Sequence, residues 1–189
     1  MNMRIGIAAA AALLTLLSGC TRAEETGRPP EKARETEEDA SREPYYYGLI
    51  EEYRSILAED PHNLAATIAL GNAFYDSGNW KEAITYYERA LRLDPHDTDI
   101  LTDLGTSYRN IGMPDRAIDA YRRALRYNPG HLNARYNLGV VYGYDRKDYA
   151  GAVREWEELL RIAPGFHHAA MMRAAIKSFE ANMAGKGGQ

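Results

Sequence analysis

The chain has 189 residues, 45% of them hydrophobic, and a formal net charge of −4. That length suits one domain, and the mild acidity argues against nucleic acid as a partner. A single cysteine excludes an internal disulfide.

The first segment is set apart by composition. Arg4 opens it, and residues 5–17 form an apolar run interrupted only by Gly6 and Thr15. This is the length of a secretory signal core, ~7–15 residues, and is short for a membrane span of ~20. The run ends in Leu17-Ser18-Gly19-Cys20, which resembles the lipobox of bacterial lipoproteins. The resemblance implies a signal peptide over residues 1–19, cleavage before Cys20, a diacylglycerol on its thiol and acylation of the new amine. Two or more acyl chains make a stable anchor, each buried methylene contributing ~0.8 kcal/mol. Cleavage leaves 22 basic and 27 acidic residues. Thr21 resembles the default outer-membrane sorting signal of hosts that have one. The expected location is therefore the cell envelope, lipid-anchored, facing the periplasm in a Gram-negative host.

Residues 21–43 carry eight acidic and five basic side chains, Gly27, Pro29 and Pro30, and almost nothing apolar. Such a stretch cannot bury enough surface to offset its ordering entropy. With the lipidated residue it reads as a flexible tether, residues 20–43, of ~80 Å at most and ~26 Å on average. A solvated helix over residues 31–41 is the alternative.

From residue 64 the chain repeats itself. Leu70-Gly71-Asn72-Ala73-Phe74, Leu104-Gly105-Thr106-Ser107-Tyr108 and Leu138-Gly139-Val140-Val141-Tyr142 recur every 34 residues. Each is followed by a second set: Ala83, Tyr87, Ala90 and Pro95; Ala117, Tyr121, Ala124 and Pro129; Ala152, Trp156, Leu159 and Pro164. One extra residue enters the third unit, and the spacing places it in the turn between Tyr144 and Asp148, where insertion costs little. Within each unit two apolar stripes run at helical spacing, such as Leu101, Leu104 and Tyr108, then Ile118, Tyr121 and Leu125. Gly78-Asn79-Trp80 and Gly112-Met113-Pro114 separate the stripes. Gly71, Gly105 and Gly139 fall inside helices, which costs ~1 kcal/mol each against alanine and implies close helix–helix approach.

These residues resemble the tetratricopeptide repeat (TPR) family. The resemblance implies an all-α solenoid of helical hairpins with three full repeats, about 64–97, 98–131 and 132–166, in a domain of residues 44–182. Thr67 and Arg135 stand where the family prefers a large apolar residue, so local packing is expected to loosen there. A half-repeat helix over residues 45–57 would cap one end through Leu49, Tyr53 and Ile56. A helix over residues 166–182 would cap the other through Met171, Met172, Ile176 and Phe179. Residues 183–189 read as a disordered tail.

No catalytic set is visible. His62, His96 and His131 sit in turns too far apart to share a metal, and His167 and His168 point in different directions on a helix. No phosphate loop or nucleophile motif appears. The expectation is a non-enzyme with no metal, cofactor or small-molecule substrate. The family's concave groove then implies a peptide-binding surface at Asn72, Tyr75, Arg109, Asn110, Tyr136, Asn137 and Tyr144, among inward positions that include Asp76, Asp103 and Thr106. Asparagine can bond both groups of a peptide backbone, and tyrosine gives contact area with a polar tip. The family's carboxylate-gripping cluster is matched only at Asn72; Arg109 is the residue left to hold a carboxylate. The reading is an interaction scaffold or assembly factor with a protein or peptide partner. Residues 152–160 also resemble the last repeat of cytochrome c maturation factors, which hold an apoprotein. A structural subunit docking through its convex face is the third reading.

Overall fold

The computed structural model describes residues 37–186, with side chains from Tyr45 onward. The expected signal peptide, Cys20, most of the expected tether and residues 187–189 lie outside the described residues. Eight helices follow in order: α1 (Glu37–Glu59), α2 (Leu64–Asp76), α3 (Trp80–Leu93), α4 (Thr98–Asn110), α5 (Pro114–Tyr127), α6 (Leu132–Val140, continued by a π-helical turn Val141–Asp145), α7 (Tyr149–Ile162) and α8 (Ala169–Lys186). Among the described residues there is no strand, and no helix is long and apolar enough to cross a membrane.

Each helix packs on its chain neighbours, and α2, α4 and α6 also touch one another in a row. The core repeats with the sequence. Leu70, Leu104 and Leu138 are buried from one helix of each hairpin, and Tyr87, Tyr121 and Trp156 from the other. Each large ring lies against the glycine of the same repeat. A β-carbon on Gly105 would stand 2.6 Å from Tyr121 Cε1, one on Gly71 would stand 2.8 Å from Tyr87 Cε1, and one on Gly139 would run into the Trp156 indole. The helix-interior glycines are thus seats for aromatic rings.

The helix starts are also periodic. Asn63, Asp97 and His131, 34 residues apart, cap α2, α4 and α6 by accepting from Ala66 N–H at 2.9 Å, Ile100 N–H at 2.9 Å and Ala134 N–H at 3.1 Å. The three buried polar side chains, Thr67, Thr102 and Ser107, each donate to a carbonyl one turn back, at 2.7–2.8 Å. Thr67 therefore does not loosen the packing; its hydroxyl is satisfied inside its own helix. Arg135 is held by Glu155 at 2.8 Å and the Pro129 carbonyl at 2.7 Å, while its Nε is buried without a hydrogen-bond partner.

The extra residue of the third repeat is absorbed differently from the expectation. In the first two hairpins the turn closes with Asn79 N–H to Phe74 O at 2.8 Å and Met113 N–H to Tyr108 O at 2.9 Å. In the third, Asp148 N–H reaches Tyr142 O at 2.8 Å across one more residue. Part of the insertion widens the helix itself, into the π turn that begins at Val141. Gly78 and Gly112 take positive φ, 76° and 77°, before the next helix; Lys147 takes the same place at 57°.

The ends depart from the sequence reading by small shifts. The helix α1 begins at Glu37, inside the stretch expected to be a tether. Its deepest side chains are Ile50 and Leu57; Leu49 and Tyr53 pack beside them, and Ile56 is exposed. Packing against a single neighbour, α2, centres the buried stripe on Ile50 and Leu57. At the other end α8 begins at Ala169 rather than 166 and runs to Lys186, into the expected tail. Met172, Ala175 and Phe179 close the stack, Ile176 is half-buried, and Met171 is exposed.

Candidate functional site: the inner helix row

The row that touches, α2–α4–α6, is the inside of the curve, because inner elements of a bent stack lie closer than outer ones. On the outer row α3 and α5 stand apart, leaving a hollow of about 410 Å3 floored by Leu91, Leu104, Tyr108 and Ala120.

The inner face begins at α2 with Asn72, Tyr75 and Asp76. Asn72 is exposed, but its Oδ1 accepts from the Tyr87 hydroxyl at 2.9 Å. Tyr75 is half-buried, set edge-on to Trp80 at 5.0 Å. Burial raises the pKa of its phenol, with Asp103 adding to the effect.

On α4, Asp103 stands one turn from Asp99. Burial pushes its carboxyl up to about 6; Asp99, Asp76 and Asp97 push the same way and His131 opposes them. Asp103 has no hydrogen bond to its carboxylate among the described residues; only its backbone carbonyl accepts, from Ser107. Asp99 faces His131 Nε2 at 2.9 Å. Thr106 meets the Tyr121 hydroxyl at 3.1 Å and Asn137 Nδ2 at 3.5 Å. Asn110, the last residue of α4, is exposed.

The far end of the row is aromatic. Tyr136 stacks on His168 at 4.7 Å, with Phe166 at 5.7 Å and Trp156 at 6.3 Å. Tyr144 is 45% exposed and meets Phe179 edge-on at 5.5 Å. Tyr136 is therefore part of the cap packing as well as of the groove, and its removal would disturb α8. Arg109 is not available to a partner's carboxylate. It already holds Asp145 in a two-pronged pair, at 2.5 and 3.2 Å, which keeps its guanidinium more firmly protonated.

The seven residues expected at the groove thus divide. Asn110, Asn137 and Tyr144 present a polar or aromatic surface. Asn72, Tyr75, Arg109 and Tyr136 present one side while being held by the fold on the other. Two acids outside the seven shape the row's charge: Asp103, and Asp145 as the partner of Arg109. Asp103 was visible as an inward position; Asp145 sits in the widened turn, off the 34-residue register, and nothing in the spacing marks it. Among the described residues no group of three His, Cys, Asp or Glu is arranged to hold a metal. His131 is a helix cap, as Asn63 and Asp97 are.

Two family descriptions match the hairpins: TPR repeat over residues 71–112 and tetratricopeptide repeat over residues 102–166. The chain is a tetratricopeptide-repeat protein. Solved TPR structures share its fold. The crystal structure of MamA aligns with a TM-score of 0.63 at 23% identity, over 84% of this chain and 100% of that one. A second crystal structure of MamA protein gives 0.64 at 25% identity, over 78% and 84%. The first TPR of Spaghetti (RPAP3), bound to the HSP90 peptide SRMEEVD, gives 0.59 at 18% identity, over 66% and 96%. No curated protein matches the chain.

Proposed function

We propose that this TPR protein is a non-catalytic interaction module that takes an extended peptide segment of a partner along α2, α4 and α6, and that Cys20 anchors it to a membrane of the bacterial envelope. The observation that carries the groove reading is the inner row itself. Polar and aromatic side chains there (Asn110, Asn137, Tyr144) stand on a row of packed helices, and the Spaghetti repeat of similar fold was solved bound to a peptide. Three helices ~9 Å apart span ~20 Å, or roughly six residues of extended chain. Six residues suit a short linear segment rather than a folded client. The anchor rests on the lipobox resemblance at residues 17–20. It makes the protein a scaffold or assembly factor held at the envelope.

The test is capture of partners by the membrane-anchored protein, followed by mass spectrometry. Asn137→Trp fills the seam between α4 and α6 on the inner row without removing a core side chain, and is expected to lose the partner. Arg92→Ala with Arg123→Ala, on the outer hollow, is expected to keep it. The reverse pattern would assign binding to the convex face. That second reading has one observation in its favour: Arg92 and Arg123 line the outer hollow, together with Leu91, Leu104 and the charged residues Glu88, Arg116 and Asp119, and make no ion pair among the described residues.

A further inference from the structure

On the inner helix row the charges left unanswered are acidic. Among the described residues of α2, α4 and α6 the cations are Arg109 and Arg135. Both are answered inside the chain, by Asp145 and Glu155. The acids of the same row are not answered in the same way. Asp103 has no hydrogen bond to its carboxylate, Asp76 has no ion pair, and Asp99 has only the imidazole of His131. Arg92 and Arg123, which make no ion pair among the described residues, line the outer hollow beside Glu88, Arg116 and Asp119. A groove built for an acidic chain terminus would show the opposite arrangement, with free cations inside.

Resting on the groove reading above, we infer that the partner segment is basic: a lysine or arginine seated among Asp76, Asp99 and Asp103, followed toward the C-terminal cap by an apolar or aromatic residue against Tyr144. Geometry supports the pairing of the two ends. Asp76 ends α2, Asp99 and Asp103 share a face of α4, and Asp76 and Asp99 both act on Asp103 through space. Tyr75 lies beside them, and its ring offers a face or edge to a guanidinium or ammonium stem. At the far end the exposed ring of Tyr144, with Trp156 and Phe179 behind it, offers an apolar seat. An acidic segment such as the EEVD end of the peptide bound by the Spaghetti repeat would meet like charge and find Arg109 already occupied.

Selection from a display library of randomised twelve-residue peptides, with the full chain as bait at pH 7.5, tests this. Enriched peptides are expected to carry net positive charge and a lysine or arginine near an apolar residue. Their affinity should fall at least tenfold in Asp76→Asn/Asp103→Asn and weaken with added salt. The double variant should melt no lower than the parent, which separates lost binding from lost folding. Enrichment of acidic or uncharged peptides, or an unchanged charge bias in the double variant, overturns the inference. If such peptides still lose binding with Asn137→Trp, the groove stands and the charge rule alone falls. If nothing is enriched over the starting library, or binding survives Asn137→Trp, both readings fall.

Discussion

Replacing Gly105 by alanine tests the seat on which the whole repeat is built. The added β-carbon would lie 2.6, 2.8 and 2.9 Å from Cε1, Cδ1 and Cζ of Tyr121. Carbon pairs settle at ~3.5–4.0 Å, so the ring must withdraw by about 1 Å. It has nowhere free to go: Tyr121 is fully buried, and its hydroxyl is tied to Thr106 at 3.1 Å. Overpacking of this kind costs ~1–3 kcal/mol, and a stretched hydrogen bond adds ~1 kcal/mol. Alanine's better helix propensity returns ~1 kcal/mol. The net is a loss of ~1–3 kcal/mol, or roughly 3–10 °C in melting temperature for a domain of this size. Gly48→Ala is the control. Its site in α1 is exposed with nothing within 4 Å, so propensity acts alone and the melt should rise by about 2–4 °C. Both are read by thermal unfolding followed by circular dichroism. A Gly105→Ala protein that melts at or above the parent would refute the reasoning. If it melts lower, Tyr121→Leu should relieve part of the loss, so that the double variant costs less than the two singles combined.

Asp103→Asn should change stability in a pH-dependent way. Its folded pKa is raised, so the native state holds the proton more tightly, and stability contributed by the protonated form is lost as pH rises from about 4 to about 6. Asparagine should therefore gain little near pH 4 and about 2–3 kcal/mol above pH 7, measured by urea unfolding at both pH values; an equal gain at both would sink the burial account. Lys147→Gly should raise stability by up to ~1 kcal/mol, because Lys147 holds the φ of 57° that Gly78 and Gly112 hold elsewhere; a lower melting temperature would show that the side chain outweighs the backbone strain. Cys20→Ser should release the protein from the membrane fraction and remove a lipid mass from the mature N-terminus; unchanged fractionation with no such mass would refute lipidation.

Much of this was legible in the chain because a repeat writes each requirement three times. Leu70, Leu104 and Leu138, the glycines behind them and the rings at Tyr87, Tyr121 and Trp156 all stand where the 34-residue period puts them. What the period cannot resolve is anything that occurs once. The stripe of α1 was misjudged by one residue, because a helix with one packing partner has no second face to pin its phase. Met171 was taken as buried for the same reason. The widened turn after Val141 was read as a loop insertion, since composition cannot distinguish an added loop residue from a π turn.

By itself the sequence determined the architecture: periodic apolar stripes, glycine seats and helix stops dictate stacked hairpins, because local spacing decides which residues can share a face. It also singled out the inward positions. Only the tertiary structure decided their state. The pairing of Arg109 with Asp145 spans 36 residues, and the strain on Asp103 comes from acids on two helices together with burial. Ion pairing and desolvation depend on distances across helices, which no spacing along the chain encodes. Arg109, the one residue the sequence left to hold a partner's carboxylate, is paired once folded with Asp145 of the same chain.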